Sequence, residues 1–212
     1  MDTSVAQCFL IDYSFKCIYS LKVIFSDEKR FCLDGPDGYR NYWRDLRRDP
    51  LIFAKRPMGG GGLMVWEGIS TLGCTQIVFV RGKMNSEGYQ KILENFLIPF
   101  MDRWPHLELV FQQDNASVHV STSTRQWFAS KNLPLLEWPA KSPDLSPIEN
   151  VWSMLARAVY ANGRQFNTII DLKKAIIEEW ERLDQNKIRE LIRTMNKRLI
   201  EVIAKNGGIT HY

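Results

Sequence analysis

The sequence predicts an α/β fold, a mixed central sheet flanked by helices with extra helices at the C-terminus. Three observations lead there. Apolar residues recur with a period of two in the first third of the chain, as in strands. From about residue 107, short apolar runs alternate with stretches of helical period, which implies parallel strands joined by helices. The 212 residues, 45% apolar and 25% charged, suffice for one sizeable core with a helical appendage.

In chain order, residues 1–20 form an atypical leader. Their apolar run is broken by Asp12 and Lys16, without the basic start or small-residue cleavage site of a signal peptide. Lys22–Leu33 reads as a strand with Val23, Phe25, Asp27 and Phe31 on one face and Glu28 on the other, solvated side. The turn DGPDG, residues 34–38, opens a basic segment that ends in the glycines 59–62. Residues 63–70 and 75–80 read as a hairpin around Leu72-Gly73. From Asn85 the period changes, and Tyr89, Ile92, Leu93, Phe96 and Leu97 make one helical stripe. Residues 107–113 form a buried strand leading into Asp114, at the carboxyl end where open α/β sheets place their sites. A helix over 121–131 and a short strand over 133–138 follow. Pro139, Pro143 and Pro147 mark an extended loop, and the helix from Pro147 aligns Ile148, Val151, Trp152, Leu155 and Val159. Amphipathic helices over 168–183 and 185–206 end at Gly207-Gly208.

Composition excludes several classes. The longest apolar runs are too short to span a bilayer, so no membrane partner is expected. Cys8, Cys17, Cys32 and Cys74 form no C-x-x-C pair, and His106, His119 and His211 are scattered, which argues against zinc. The four glycines lack the Lys-Ser/Thr ending of a phosphate-binding loop. A net charge of +4 is modest, but Arg40, Arg44, Arg47, Arg48, Lys55 and Arg56 cluster around Tyr42 and Trp43, against Asp45 and Asp49. That segment suits phosphate backbones and stacked bases, and a solvated loop with an aromatic anchor fits it equally.

Three acids stand where apolar runs turn polar: Asp27 in VIFSDEKRF, Asp114 in LVFQQDNASVH and Glu149 in SPDLSPIENVW. Carboxylates gathered from distant segments repel unless a cation lies between them, which points to a divalent metal. Each has an alternative. Asp27 could form a salt bridge with a nearby basic residue. Asp114 could close an Asx turn. Glu149 could complete a capping box with Ser146 as N-cap and Pro147 at the first helical position. Asp144 reads as a turn residue, and His119 as a structural histidine or as a group orienting water or phosphate near Asp114.

The stretches VIFSDEKRFCLDGPDGYRNYWRD, GGGGLMVWEGIS, FQQDNASVH and WPAKSPDLSPIENVW resemble, in this order, the catalytic domain of Tc/mariner superfamily transposases, especially the nematode Tc branch. The 34 residues between Asp114 and Glu149 match that family's Asp–Asp–Glu spacing. The resemblance implies an RNase H-like catalytic domain over 21–212, with the C-terminal helices at 165–208. Asp27, Asp114 and Glu149 would be the catalytic metal ligands, holding two Mg²⁺ or Mn²⁺ ions. The reaction would be phosphodiester hydrolysis and strand transfer in cut-and-paste DNA transposition. It further implies transposon-end and target DNA as partners, a homodimer on DNA, a nuclear location and no small-molecule substrate. Residues 34–62 would correspond to a loop that clamps partner and DNA. Family members carry two helix-turn-helix units ahead of this domain, and 20 leading residues are too few to hold them. The expectation is an N-terminally truncated transposase. The alternative is an inactive relic that binds DNA or dimerises. A cellular RNase H-like nuclease is a third, less well matched reading.

Overall fold

Strand β1, Val23–Cys32, organises the fold, because its two faces feed two separate apolar clusters. The computed structural model describes residues 22–35, 61–140 and 142–212. The leader and the basic segment with Arg40, Trp43, Arg44, Arg47, Arg48, Lys55 and Arg56 therefore lie outside the described residues.

Strand β2, Gly62–Ser70, pairs antiparallel with β1, and β5, Val110–Gln112, pairs parallel with it on the other side. The short strands β3, Gly73–Cys74, and β4, Val78–Val80, both pair antiparallel with β2. The sheet is thus mixed, in the order β3-β2-β1-β5 with β4 also on β2.

Helices cover both faces. On one side, α1 (Ser86–Ile92), a π-helical turn (Leu93–Leu97) and α2 (Ile98–Met101) follow one another without a break, and α3 (Thr122–Ser130) packs beside them. The Ile98 N–H reaches back five residues to the Leu93 carbonyl just before Pro99, which has no N–H to continue the ladder. This layer buries Tyr89, Leu93, Leu97 and Phe128 against Ile24, Trp66 and Phe111. On the other side, α4 (Pro147–Val159), α5 (Ile169–Glu181), α6 (Gln185–Arg193) and α7 (Met195–Ala204) bury Ile148, Trp152, Leu155 and Ile192 against Val23, Phe25, Phe31 and Val65. Each such side chain contributes about 1.5–3 kcal/mol by leaving water. β1 alternates between the two clusters, as the period predicts.

Four elements differ from the expectation. The strand over 75–80 is interrupted, because Thr75, Gln76 and Ile77 stand opposite only Glu67 and Gly68. A Cβ at residue 68 would lie 3.1 Å from the Thr75 methyl, so glycine admits this close approach. The strand over 133–138 reduces to one bridge, Leu135 to Phe111, since Pro134 offers no N–H to a ladder. The strand over 107–113 shortens to three residues. The helix over 185–206 breaks at Thr194, whose hydroxyl donates to the Leu191 carbonyl. Its end is as predicted, with Gly207 at φ 87 donating to Val202 O.

Candidate active site

The β1–β5 register brings two of the three acids level. Val23 pairs with Val110 and Phe25 with Gln112, where the ladder ends; Asp27 and Asp114 each follow two residues beyond that last pair. The Ser26 hydroxyl donates to Gln112 O at 2.8 Å and fastens the pair where the strands part. The third acid comes from α4. Glu149 stands in its first turn, and Trp152, one turn on along the same face, donates its indole N–H to Asp27 Oδ2 at 3.1 Å. Trp152 is completely buried, so the contact between helix and carboxylate is fixed by packing.

The electrostatics agree with this convergence. The Asp27 carboxyl is pushed up to about 8, first by burial, then by the charge of Glu149, then by Glu28, with Asp114 adding to it. Its bonded side-chain partner is a neutral indole rather than a cation. The salt bridge considered for Asp27 does not form among the described residues. Asp114 behaves oppositely, held below the usual carboxylate range chiefly by the His119 hydrogen bond.

His119 is buried and lies with Nδ1 2.6 Å from Asp114 Oδ1 and Nε2 3.3 Å from Glu28 Oε1. Burial alone would pull its pKa down, but the hydrogen bond to Asp114, the nearby Glu28 carboxylate and the charges of both outweigh it, to about 9. The ring packs on Tyr89 at 4.1 Å between centroids, and the Tyr89 hydroxyl donates to Gln113 at 2.7 Å. Sequence reasoning treated His119 as structural or water-orienting, and its direct bond to Asp114 is new. It also placed Glu28 in solvent. Glu28 is indeed on the opposite face of β1, but its side chain is only 15% exposed because His119 covers it.

The alternatives for the other acids resolve differently. The Asx turn is present, since Ala116 N–H donates to Asp114 Oδ1 at 2.9 Å. It uses the same oxygen as His119, so neither bond engages Oδ2. The capping box is absent. Ser146 has no side-chain cap bond, and its N–H is taken by Pro143 O at 3.0 Å, so nothing remains for Glu149 to cap. Asp144 is a turn residue, as expected, within the short 3₁₀ segment Pro143–Leu145.

Among the described residues, no three His, Cys, Asp or Glu side chains form a ready-made cage. The charges of Glu149 and Asp114 act on Asp27 from beyond ligand distance. The donor chemistry decides whether a cation fits. Oxygen-only, mutually repelling carboxylates suit a hard divalent ion, and they offer zinc neither sulfur nor a free imidazole.

Sequence and fold comparisons extend this geometry. Residues 22–173 match the family described as DDE superfamily endonuclease. The chain is 48% identical over 191 residues to the transposable element Tc3 transposase of Caenorhabditis elegans, spanning 90% of this chain and 58% of that protein. It is 34% identical over 200 residues to the Tc1 transposase of the same nematode, spanning 90% of this chain and 70% of that protein. The fold matches the Mos1 mariner paired-end complex with Mn at a TM-score of 0.83 and 20% identity, over 99% of this chain and 62% of that one. The fold is RNase H-like.

Proposed function

Because the chain belongs to the Tc/mariner superfamily of DDE transposases, we propose that it is the catalytic domain of a cut-and-paste DNA transposase. It would hydrolyse phosphodiester bonds and transfer strands with a divalent cation. The chain spans 58% of the Tc3 relative. The observation that supports the reading is the surroundings of Asp27 on β1: it feels the charges of Glu149, in the first turn of α4, and of Asp114, which follows β5, and it accepts from the Trp152 indole of α4.

Asp27, Asp114 and Glu149 would hold two Mg²⁺ or Mn²⁺ ions. Ions so held would polarise a phosphodiester and stabilise the oxygens that enter and leave in an in-line displacement. The chain's own part is positional. Trp152 orients Asp27 through Oδ2, and His119 with Ala116 N–H fixes Asp114 through Oδ1. The attacking group is water in hydrolysis and a DNA 3′-hydroxyl in strand transfer, so no protein nucleophile is needed. The basic segment over 40–56 would meet DNA phosphates, the protein would work as a homodimer on transposon ends, and the nucleus is its proposed location.

The test is nicking or strand transfer on duplex and pre-cut DNA with and without Mg²⁺ or Mn²⁺. Asp27→Asn, Asp114→Asn and Glu149→Gln should each lower the rate about 10²- to 10⁴-fold, the equivalent of about 3–5 kcal/mol. Full activity in all three variants would defeat the assignment. Salt-dependent DNA binding without any metal-stimulated cleavage would favour the binding relic.

A further inference from the structure

Arg198, on α7, takes no part in the chemistry above, yet its whole side chain is buried. Its Nη1 donates to the Asp144 backbone carbonyl at 2.7 Å, its Nη2 to Asn150 Oδ1 at 2.7 Å and its Nε to the Thr194 hydroxyl at 3.0 Å. The Tyr212 ring lies over the guanidinium at 4.6 Å. The bonded partners are all neutral. The Asp144 carboxylate accepts instead from the Thr210 N–H at 2.8 Å.

A buried cation is costly even where, as here, its bonded partners are neutral and the charges of Tyr212 and Asp144 act in its favour from further off, and an apolar side chain of similar volume can fill such a space at lower cost. What a guanidinium adds is a rigid, planar fork of donors. Here the fork grips residues 144 and 150, one on each side of Glu149. It does so at a helix start where Ser146 supplies no cap bond and Pro147 has no N–H. Neither the metal reading nor the capping box accounts for Asn150.

We infer that Arg198 is a positioning residue for Glu149: it clamps the start of α4 to the C-terminal helices and so fixes where that carboxylate stands. The inference rests on the reading of Asp27, Asp114 and Glu149 as metal ligands.

A double-mutant cycle on the full chain tests it, with Mn²⁺ affinity read by electron paramagnetic resonance beside nicking kinetics and urea melts. Asn150→Ala removes one acceptor of the fork and leaves Arg198 in place. It should weaken Mn²⁺ binding about tenfold and lower kcat about tenfold with KM for DNA unchanged. Asn150→Asp keeps an acceptor for the fork and should restore both to within about twofold of the parent. In a Glu149→Gln background, Asn150→Ala should change Mn²⁺ affinity by less than about twofold, because the ligand it acts through is gone. Equal losses in both backgrounds, or parental affinity in Asn150→Ala, would overturn the positioning role. Absence of Mn²⁺ uptake by the unmodified chain would instead overturn the ligand reading, and the positioning role with it.

Discussion

Asp27 and Glu67 are direct partners across the antiparallel β1–β2 ladder; Glu67 is fully buried and Asp27 partly so, and the lost hydration raises the pKa of both. What surrounds them differs. Glu67 is met by hydrogen-bond donors: the Thr75 hydroxyl at 2.5 Å and the Gly68 N–H at 3.2 Å both reach Oε1. Those bonds pull its pKa back only partly, so it stays well above the usual range with Oε2 unpartnered. Asp27 is met by other carboxylates, which push in the same direction as burial. One acid is met by hydrogen-bond donors inside the core. The other sits in a field that a cation would relieve. Buried acids become informative when their neighbours are also acids.

The largest expected difference is in pH dependence. Asp27 is raised to about 8, well above the ordinary carboxylate range, so its contribution to stability is complete below that range and is lost as pH rises towards 8. Metal-free protein should therefore weaken in urea melts between pH 4 and 8 by about a few kcal/mol, and Asp27→Asn should remove the Asp27 share of that slope while the shares of Glu67 and His119 remain. Mn²⁺ must displace the proton, so its affinity should climb over the same window and calorimetry should detect proton release. An affinity flat from pH 5 to 8 would break the comparison on the Asp27 side.

Glu67→Gln should act with the same sign but without the metal. Its stabilising effect should be absent at low pH and grow as pH rises above the ordinary glutamate range, reaching about 1–3 kcal/mol near neutrality. Mn²⁺ affinity should not change. Thr75→Val removes a donor from Glu67 and an acceptor from the Gly68 N–H, which it meets at 3.0 Å, and should cost about 1–2 kcal/mol, again with Mn²⁺ affinity unchanged. A metal-affinity loss in either variant would show that the two acids form one unit.

The sheet and its two clusters were legible because period two along β1 and helical stripes elsewhere are direct images of burial. Asp27 was legible for the same reason, an acid on an apolar face. Glu67 carried that signal too, sharing parity with Val65 and Ile69 in LMVWEGIS, and it went unread. The Glu149 cap failed because motif spacing is silent on whether the Ser146 N–H is already bonded to Pro143. The His119 bond to Asp114 and the Arg198 fork depend on contacts between side chains placed by tertiary packing. In the Arg198 case they join residues up to 54 positions apart, beyond any local pattern.

The central claim is one cation site shared by residues 27, 114 and 149. Anomalous diffraction from crystals soaked in Mn²⁺ tests it most directly. Manganese peaks bounded by oxygens of Asp27, Asp114 and Glu149 are expected, and they should be lost in Asp27→Asn. Manganese bound elsewhere, with those three carboxylates remaining apart, would contradict it.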